Sequence, residues 1–521
     1  MMTNDQLPDN PEELKEIISS KDEYIDILEG QIRVLKKALF APKSEKRPGE
    51  EQESSQLHMF NEAEVLVEKE AQKKLVIAEH TRQKPKRKPL PPELPRIEVI
   101  EDIDESEKIC ACGAELSRIG EEVCEKLDYI PAKIRVIRII RPKYACKSCE
   151  GVESDEPTVK IAPPPAQIIP KGIATPGLIA HVAISKYADA LPLYRQEKIF
   201  ARLGIELTRS TMAGWIVMAA DRCNRLIELL YRELLSGPLI NADETTLQVL
   251  NEPGRADTTK SYMWVFRGGD PDKPAVLFRY SPTRSGEVAK EVLSGYSGYC
   301  QTDAFSGYDA LEVTNPGIIL VGCFAHVRRN FIKVIDARGK AAKNKTGSAE
   351  VALDYIGKLY AIEKIARQKE LSADRIVSLR KEKAEPILQE FKAWMDKRLS
   401  QTPPKGLLGK ALSYAVNLWP RLTRYLENGY ITPDNNAAEN AIRPFVVGRK
   451  NWLFSGHPNG AHAASTLYSL IETAKACGLE PYQYLRFLFE KIPSAQTEQD
   501  HKALLPQNLR PDCLSQFVAR A

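Results

Sequence analysis

The chain has 521 residues, of which 43% are hydrophobic and 28% are charged, and its formal net charge at pH 7 is +4. This length allows several domains, and the composition is ordinary for a water-soluble globular protein. No apolar run approaches the roughly 18 residues that a membrane span needs, and the N-terminus lacks the build of a signal peptide. We therefore expect a cytoplasmic protein without a membrane partner.

Residues 11–40 carry a heptad pattern. Its two seam positions hold Leu14, Lys21, Leu28 and Leu35, and Ile18, Ile25, Ile32 and Leu39. Isoleucine paired with leucine at such a seam favours a parallel two-stranded coiled coil, which predicts a homodimer or a higher oligomer. In the coiled coil Gly30 would fall on the outer face, where it costs least. The alternative is an amphipathic helix packed on its own domain. Residues 41–96 are polar and then rich in proline and lysine, which indicates a flexible basic linker.

Between 97 and 162, four of the ten cysteines form two close pairs, Cys110 with Cys112 and Cys146 with Cys149. In a cytosolic chain, clustered cysteines indicate a metal more often than a disulfide. Four thiolates suit a structural Zn²⁺ ion, which would stabilise a region too small to have much core of its own. Cys124 lies between the pairs, so whether it joins the zinc site stays open.

Residues 171–236 show three helical patterns with short breaks. Gly204 ends the second pattern and Thr208 is a good N-cap for the third, a spacing that fits a helix-turn-helix segment. The third pattern begins with Arg209, Ser210 and Thr211, residue types that suit a DNA groove or phosphates. A generic three-helix scaffold is the alternative.

From 237 to 340 strands dominate. Three successive strands, then strand–helix alternation, is the order of the ribonuclease H fold. In that fold the first and fourth strands are neighbours, so we expect their C-terminal ends to bring Asp243 and Asp303 together. Residues 341–430 predict a helical insertion, and residues 431–477 return to the core in a helix that begins near Asp434 and carries Glu439. Residues 478–521 predict a C-terminal helix and a loose polar tail.

Two strand-end carboxylates and one helical carboxylate can hold two divalent ions for phosphodiester chemistry. Carboxylates suit Mg²⁺, with Mn²⁺ as an alternative. The predicted catalytic and metal-binding residues are therefore Asp243, Asp303 and Glu439. Any one of them alone would more often be a turn residue, and Glu244 and Asp309 are alternatives for the first two.

Basic residues gather near these acids, although the net charge alone does not indicate a nucleic-acid partner. We predict DNA contacts from Arg328, Arg329, Arg443, Arg449 and Lys450. The alternatives are a solvated charged face for each cluster and an i,i+4 ion pair between Glu439 and Arg443. His326, three residues after Cys323, is interpreted as a packed histidine at a strand–helix junction. The alternative is a second zinc site, for which the sequence shows no partner pair of ligands.

Taken in order, these segments resemble the transposases of the insertion sequence 66 family over nearly the full chain. The resemblance lies in LFAPKSEKR, CACGAEL with PKYACKSC, ADETTLQV, QTDAFSGYDAL, CFAHVRRNF and DNNAAENAIRPFVVGRKNWLFSG. It implies a DDE catalytic domain with Asp243, Asp303 and Glu439 as the triad, and zinc on the four paired cysteines. It also implies terminal inverted repeats as the DNA substrate and small accessory proteins of the same element.

The sequence thus predicts a multidomain α+β fold: a coiled coil, a zinc-finger region, a helix-turn-helix segment and a ribonuclease H-like core with a helical insertion. The predicted function is that of a bacterial insertion-sequence transposase, nucleoid-associated when bound to DNA, which cleaves element ends and joins them to target DNA. Two alternatives are a non-catalytic DNA-binding regulator and a metal-dependent nuclease that does not join strands.

Overall fold

The computed structural model describes residues 134–145, 159–337 and 347–520, together with scattered positions between 10 and 32. The chain divides into two units, one formed by Met1–Lys74 with Pro165–Ala521 and the other by Leu75–Pro164. In the second unit, β1 (Lys143–Ala145) pairs antiparallel with β2 (Val159–Ile161). Outside the described residues lie most of the predicted coiled coil, the linker, and the predicted zinc ligands Cys110, Cys112, Cys146 and Cys149.

Three helices follow the proline-rich segment: α1 (Pro176–Tyr187), α2 (Leu193–Arg202) and α3 (Arg209–Arg222). The predicted helix end at Gly204 and the predicted N-cap at Thr208 are confirmed. Gly204 has a φ of 78° in the turn after α2, and Thr208 Oγ1 accepts a hydrogen bond from Thr211 N (3.3 Å). The sequence predicted one continuous helix after Thr208. That prediction is wrong in one respect, because the helix divides at Cys223 into α3 and α4 (Asn224–Leu234). Cys223 N donates to Ala220 O, three residues back, which tightens the turn there.

A five-stranded mixed sheet forms the centre of the first unit, in the order β5-β4-β3-β6-β7. Its strands are β3 (Leu239–Gln248), β4 (Lys260–Asp270), β5 (Lys273–Ser281), β6 (Gly298–Gln301) and β7 (Ile318–Val321). The strands β3, β4 and β5 form an antiparallel meander, whereas β6 runs parallel to both β3 and β7. The predicted adjacency of the first and fourth strands of this region is therefore confirmed. In β4, four consecutive side chains are 0% exposed, Met263, Trp264, Val265 and Phe266, as expected of a strand covered on both faces.

Helices alternate with the later strands: α5 (Gly286–Val292), α6 (Asp309–Thr314) and α7 (Phe324–Ala337). A helical segment then follows, with α8 (Ser348–Gln368), α9 (Ala373–Leu399), α10 (Leu407–Asn417) and α11 (Trp419–Thr423). It buries an apolar core of its own together with α7. Arg380, 1% exposed, stabilises this core by pairing with Glu363 (2.7 Å) and donating to the carbonyls of Tyr425, Asn428 and Ile431.

The chain returns to the sheet through α12 (Asn436–Trp452) and α13 (Pro458–Ala476). The helix α13 covers the edge strand β5 with polar side chains as well as apolar ones. Ser469 Oγ accepts from Phe278 N (2.8 Å), and Thr473 Oγ1 accepts from Val276 N (3.0 Å) and donates to its carbonyl (3.1 Å). These contacts satisfy backbone N–H and C=O groups of the edge strand β5, which could otherwise pair with a strand of another chain.

The C-terminal residues form α14 (Pro481–Lys491), α15 (Glu498–Ala503) and α16 (Pro511–Arg520). The prediction of a loose tail is wrong. Leu505 is 0% exposed and Leu514 is 1% exposed, and both belong to the main core. Glu498 also forms ion pairs with Arg225 (2.6 Å) and Arg232 (3.0 Å) of α4. A few apolar side chains and long-range ion pairs hold this segment although its composition is largely polar.

The described positions between 11 and 32 are helical, but they do not test the predicted coiled coil. Ile25, Leu28 and Ile32, all from the predicted seam, are exposed. Gly30 is buried rather than on an outer face, because a Cβ at this position would lie 3.8 Å from both Ala337 and Leu407. Among the helices that the structure describes, none has both the length and the apolar character required to cross a bilayer.

Candidate active site

Strand register places two of the predicted acids at the same level of the sheet. Asn241 of β3 is paired with Gln301 of β6, and Asp243 and Asp303 each lie two residues further along their own segments. Asp303 follows the end of β6, as expected. Asp243 does not lie at a strand end, because β3 continues to Gln248 through its pairing with β4. The parallel pairing of β3 with β6 is what ends near Asp243, since its last pair is Asn241 with Gln301.

The third acid comes from α12, where Glu439 lies in the first turn and is 3% exposed. Burial raises the pKa of Asp243 well above its usual value, and the charges of Glu244, Asp303 and Glu439 raise it further. Burial also raises the pKa of Glu439, against the lowering effect of Arg329 and with a further increase from Asp303. The structure therefore brings the three predicted acids into one cluster in which their charges repel.

Each acid is held by a contact of its own. Asp243 Oδ1 accepts from Glu244 N (2.8 Å), and Asp303 Oδ1 accepts from Phe305 N (3.0 Å) across a turn in which Ala304 has a φ of 67°. A non-glycine residue in this left-handed region costs free energy and is common at functional sites. Glu439 Oε2 accepts from Arg329 Nη2 (2.5 Å), whereas its Oε1 is buried without a hydrogen-bond partner.

Three buried amides join the segments that carry the acids. Asn241 Nδ2 donates to Gln301 Oε1 (2.9 Å) and to Asn435 Oδ1 (3.0 Å). Asn435, 0% exposed, also donates from Nδ2 to Ala242 O (2.8 Å) and from its backbone N–H to Cys323 Sγ (3.2 Å). This amide network fixes β3, β6 and the start of α12 relative to one another. Sequence reasoning missed it, although Asn241 and Gln301 stand at equal spacing before Asp243 and Asp303.

The two alternative acids have other roles in the structure. Glu244, whose side chain is 1% exposed, pairs with Arg284 and accepts from the Tyr308 hydroxyl (2.8 Å). Asp309 is exposed and pairs with Arg421 (2.6 Å). Asp434 is not the N-cap of α12, which is Asn435, but its Oδ1 accepts from Asn436 N (3.1 Å) in the turn before the helix.

His326 is packed in the first turn of α7, as interpreted from the sequence, but it belongs to the acid cluster. Its Nδ1 lies 3.9 Å from Glu439 Oε1, and its Nε2 lies 3.0 Å from Arg329 Nη1. Burial lowers the pKa of His326 to about 4, and the nearby Arg329 charge lowers it further. Burial raises the pKa of the Cys323 thiol to about 12. At neutral pH the imidazole is therefore uncharged and the thiol is protonated.

The residues predicted to contact DNA have different surroundings. Arg209, Ser210 and Thr211 are exposed at the start of α3, and Lys450 is exposed near the end of α12. Arg329 faces the acid cluster through Glu439.

The other predicted contacts are more enclosed. Arg328 is 7% exposed, Arg443 is half-buried, and Arg449 donates to the hydroxyls of Thr245 (3.1 Å) and Thr246 (2.9 Å). Burial lowers the pKa of Arg449. In this structure Arg449 joins α12 to β3.

The acid cluster offers oxygen ligands of the kind that hard divalent cations prefer. The mutual repulsion that raises the pKa of Asp243 and the unpartnered Oε1 of Glu439 are both relieved when a cation lies among the carboxylates. Carboxylate oxygens are the ligands that Mg²⁺ and Mn²⁺ prefer. Asp243, Asp303 and Glu439 are the residues that could hold such ions.

Comparison with known protein families covers most of the chain. The model described as "Transposase IS66 family" matches residues 171–463, which is more than half of the 521 residues. Residues 107–150, which include the four predicted zinc ligands, match the zinc-finger binding domain of transposase IS66. Residues 469–507 match the IS66 C-terminal element, and residues 27–99 match a model described as "Transposase C of IS166 homeodomain".

Similar full-length proteins come from Sinorhizobium fredii. The protein named "Uncharacterized protein y4qI" is 34% identical over 519 residues, which is 96% of this chain and 92% of that protein. The protein named "Uncharacterized protein y4jD" is 35% identical over 440 residues, covering 82% of this chain and 83% of that protein. The sequence blocks and the family models agree, and one family model matches more than half of the chain, so the chain belongs to the IS66 transposase family.

Proposed function

We propose that this protein is a DDE transposase that cleaves DNA at the ends of its element and joins those ends to target DNA. The observation that carries the proposal is the convergence of Asp243, Asp303 and Glu439, from three separate parts of the chain, into one cluster whose charges repel. Membership of the IS66 transposase family supports nucleic acid as the substrate.

In the proposed mechanism the three carboxylates would hold two Mg²⁺ ions, or Mn²⁺ ions. Bound there, such ions supply an activated water or 3′-hydroxyl and stabilise the leaving oxygen of an in-line displacement. The protein's own contribution is placement: the amide network of Asn241, Gln301 and Asn435 fixes the segments that carry the acids. No histidine general base is needed, which agrees with the lowered pKa of His326.

The strand order supports a ribonuclease H-like core as part of this proposal. An antiparallel meander of β3, β4 and β5 is followed by β6 and β7, which run parallel to β3. This is the order that the sequence predicted for that fold, with the helical segment α8–α11 placed before the helix that carries Glu439.

We assign DNA binding to the helix-turn-helix segment and the zinc-finger region, and dimerisation to the N-terminal heptads. The exposed Arg209, Ser210 and Thr211 at the start of α3 support the first assignment, since the N-terminus of a recognition helix contacts base edges or phosphates. The exposed Ile25 and Ile32 support the assignment of dimerisation to the N-terminal heptads, because apolar seam residues require a partner surface.

The test uses the full-length protein with a labelled DNA carrying a terminal inverted repeat, a target DNA and Mg²⁺. Wild type should yield strand-transfer products and Asp303→Ala should yield none. Asp309→Ala is the matched control, because Asp309 is exposed and pairs with Arg421, so its products should equal those of wild type. Circular dichroism of each variant checks that it is folded.

Other outcomes identify the alternative functions. Equal products from wild type and Asp303→Ala would show that the assigned acids are wrong. End binding without any cleavage by wild type would indicate a DNA-binding regulator. Cleavage without joining would indicate a nuclease.

A further inference from the structure

Three potential metal ligands of different chemistry meet at the end of β7. Cys323 precedes α7, His326 lies in the first turn of α7, and Glu439 lies in the first turn of α12. One ligand atom from each of these residues lies within 4.8 Å of the other two. Cys323 is 2% exposed and Glu439 is 3% exposed, so two of the three are almost fully buried.

Two of these ligand atoms are buried without a hydrogen-bond partner. They are His326 Nδ1 and Glu439 Oε1, which face one another at 3.9 Å. An unsatisfied buried polar atom costs folding free energy, so two that face one another call for an explanation. Zinc bonds to nitrogen and oxygen of about 2.0–2.2 Å keep two ligands of one ion within about 4 Å of each other. The observed separation is that of two atoms able to share a cation.

We propose that Cys323 Sγ, His326 Nδ1 and Glu439 Oε1 form a binding site for a soft divalent cation, above all Zn²⁺. Thiolate and imidazole select zinc over magnesium, whereas the neighbouring Asp243 and Asp303 offer only hard oxygen ligands. Three protein ligands leave a fourth position open, unlike the closed four-cysteine site of a structural zinc. The hydrogen bond from Asn435 N to Cys323 Sγ (3.2 Å) suits a thiolate, which is the stronger acceptor.

Arg329 controls access to this site. It donates from Nη1 to His326 Nε2 (3.0 Å) and from Nη2 to Glu439 Oε2 (2.5 Å). A guanidinium only donates, so Nε2 accepts and the proton of the neutral ring lies on Nδ1. When zinc binds Nδ1, that proton moves to Nε2 and the Cys323 thiol proton passes to solvent. The contact between Arg329 and His326 is then lost, so zinc and this contact exclude each other.

The consequence for activity rests on the proposed function. Glu439 belongs both to this site and to the proposed catalytic triad. Zinc at Cys323 and His326 therefore withdraws one carboxylate oxygen from the Mg²⁺ ions and inhibits strand transfer. Binding itself does not depend on that function.

The binding test counts zinc in the full-length protein. After incubation with excess Zn²⁺ and gel filtration, mass spectrometry of the metal content should find one more zinc per chain in wild type than in Cys323→Ser or His326→Asn. Cys477→Ser and His462→Asn are matched controls outside the cluster and should keep the wild-type content. Equal zinc content in wild type, Cys323→Ser and His326→Asn would overturn the proposal, whatever the activity.

Loss of zinc in Cys323→Ser or His326→Asn could also result from misfolding, so a variant that is expected to keep or strengthen zinc binding is needed. Arg329→Gln removes the competing contact and should bind the additional zinc at least as tightly as wild type; weaker binding would contradict the gating role. If wild type performs strand transfer, the zinc concentration for half inhibition should rise about tenfold or more in His326→Asn, each variant being compared with its own zinc-free activity. An unchanged concentration would refute the shared use of Glu439.

Discussion

Replacing Asp243 by asparagine should stabilise the protein in the absence of magnesium and abolish its chemistry. Burial raises the pKa of Asp243 well above its usual value, and three neighbouring carboxylates raise it further. The ionised form therefore costs folding free energy at neutral pH, and asparagine removes that cost while keeping the shape of the side chain. We therefore expect Asp243→Asn to have a higher free energy of unfolding in urea than wild type at pH 7.

The size of this gain should depend on pH in a defined direction. A carboxylate with a raised pKa in the folded state binds its proton more tightly when folded than when unfolded. Wild type therefore loses stability as the pH rises from the ordinary aspartate value of 3.8 through the folded-state pKa, and the variant does not. Urea denaturation of both proteins without added magnesium should show a difference that grows as the pH rises above 3.8.

The control for this experiment is Asp309→Asn, which removes an exposed carboxylate. Its ion pair with Arg421 is a surface pair, so its loss should change stability by less than about 1 kcal/mol, and in the destabilising direction. Adding Mg²⁺ should raise the melting temperature of wild type more than that of Asp243→Asn, because an ion that binds the folded state stabilises it. The electrostatic reasoning fails if Asp243→Asn lowers stability, or if Asp309→Asn raises it equally.

Three further substitutions test the framework around the site. Asn435→Ala should lower the free energy of unfolding in urea by about 2–4 kcal/mol, because it removes two buried hydrogen bonds and leaves Ala242 O unsatisfied. A change below about 0.5 kcal/mol would contradict this prediction. Leu505→Ala should cost about 2–5 kcal/mol through the cavity it leaves, and no measurable loss would mean that the C-terminal segment is not part of the core. Arg380→Ala should lower the free energy of unfolding by about 3–5 kcal/mol, because the carboxylate of Glu363 then stays in the core without its partner. Hydrogen exchange should become faster across residues 348–423. Unchanged protection there would contradict this role of Arg380.

The acid positions were predictable because they combine two local signals. Asp243 and Asp303 follow short apolar runs, and the strand order predicted from the sequence makes those runs neighbours, as they are in this sheet. The same two runs carry Asn241 and Gln301 at equal spacing before the acids. A polar residue inside an apolar strand requires a buried partner, so this repetition could have indicated the amide network.

Other features depend on contacts between distant segments and left no local pattern. The ion pair between Arg329 and Glu439 joins residues 110 positions apart, and nothing in either helix predicts it. The polar tail is held by Leu505 and by ion pairs from Glu498 to α4, which composition alone does not reveal. Tertiary contacts override local signals where one or two side chains decide the packing.

The chemistry of the amide network explains how a cluster of repelling acids can be held in place. Arginine or lysine beneath Asp243 and Asp303 would also have fixed the strands, but a cation there lowers the pKa of the acids and competes with a metal ion for them. Asn241, Gln301 and Asn435 supply hydrogen bonds without net charge, so they stiffen the segments and leave the negative potential intact. Arg329 is placed differently, because it reaches Glu439 from α7 with a side chain that is 40% exposed. Neutral amides therefore support the segments from within, and a positive charge pairs with Glu439 from a partly exposed side chain.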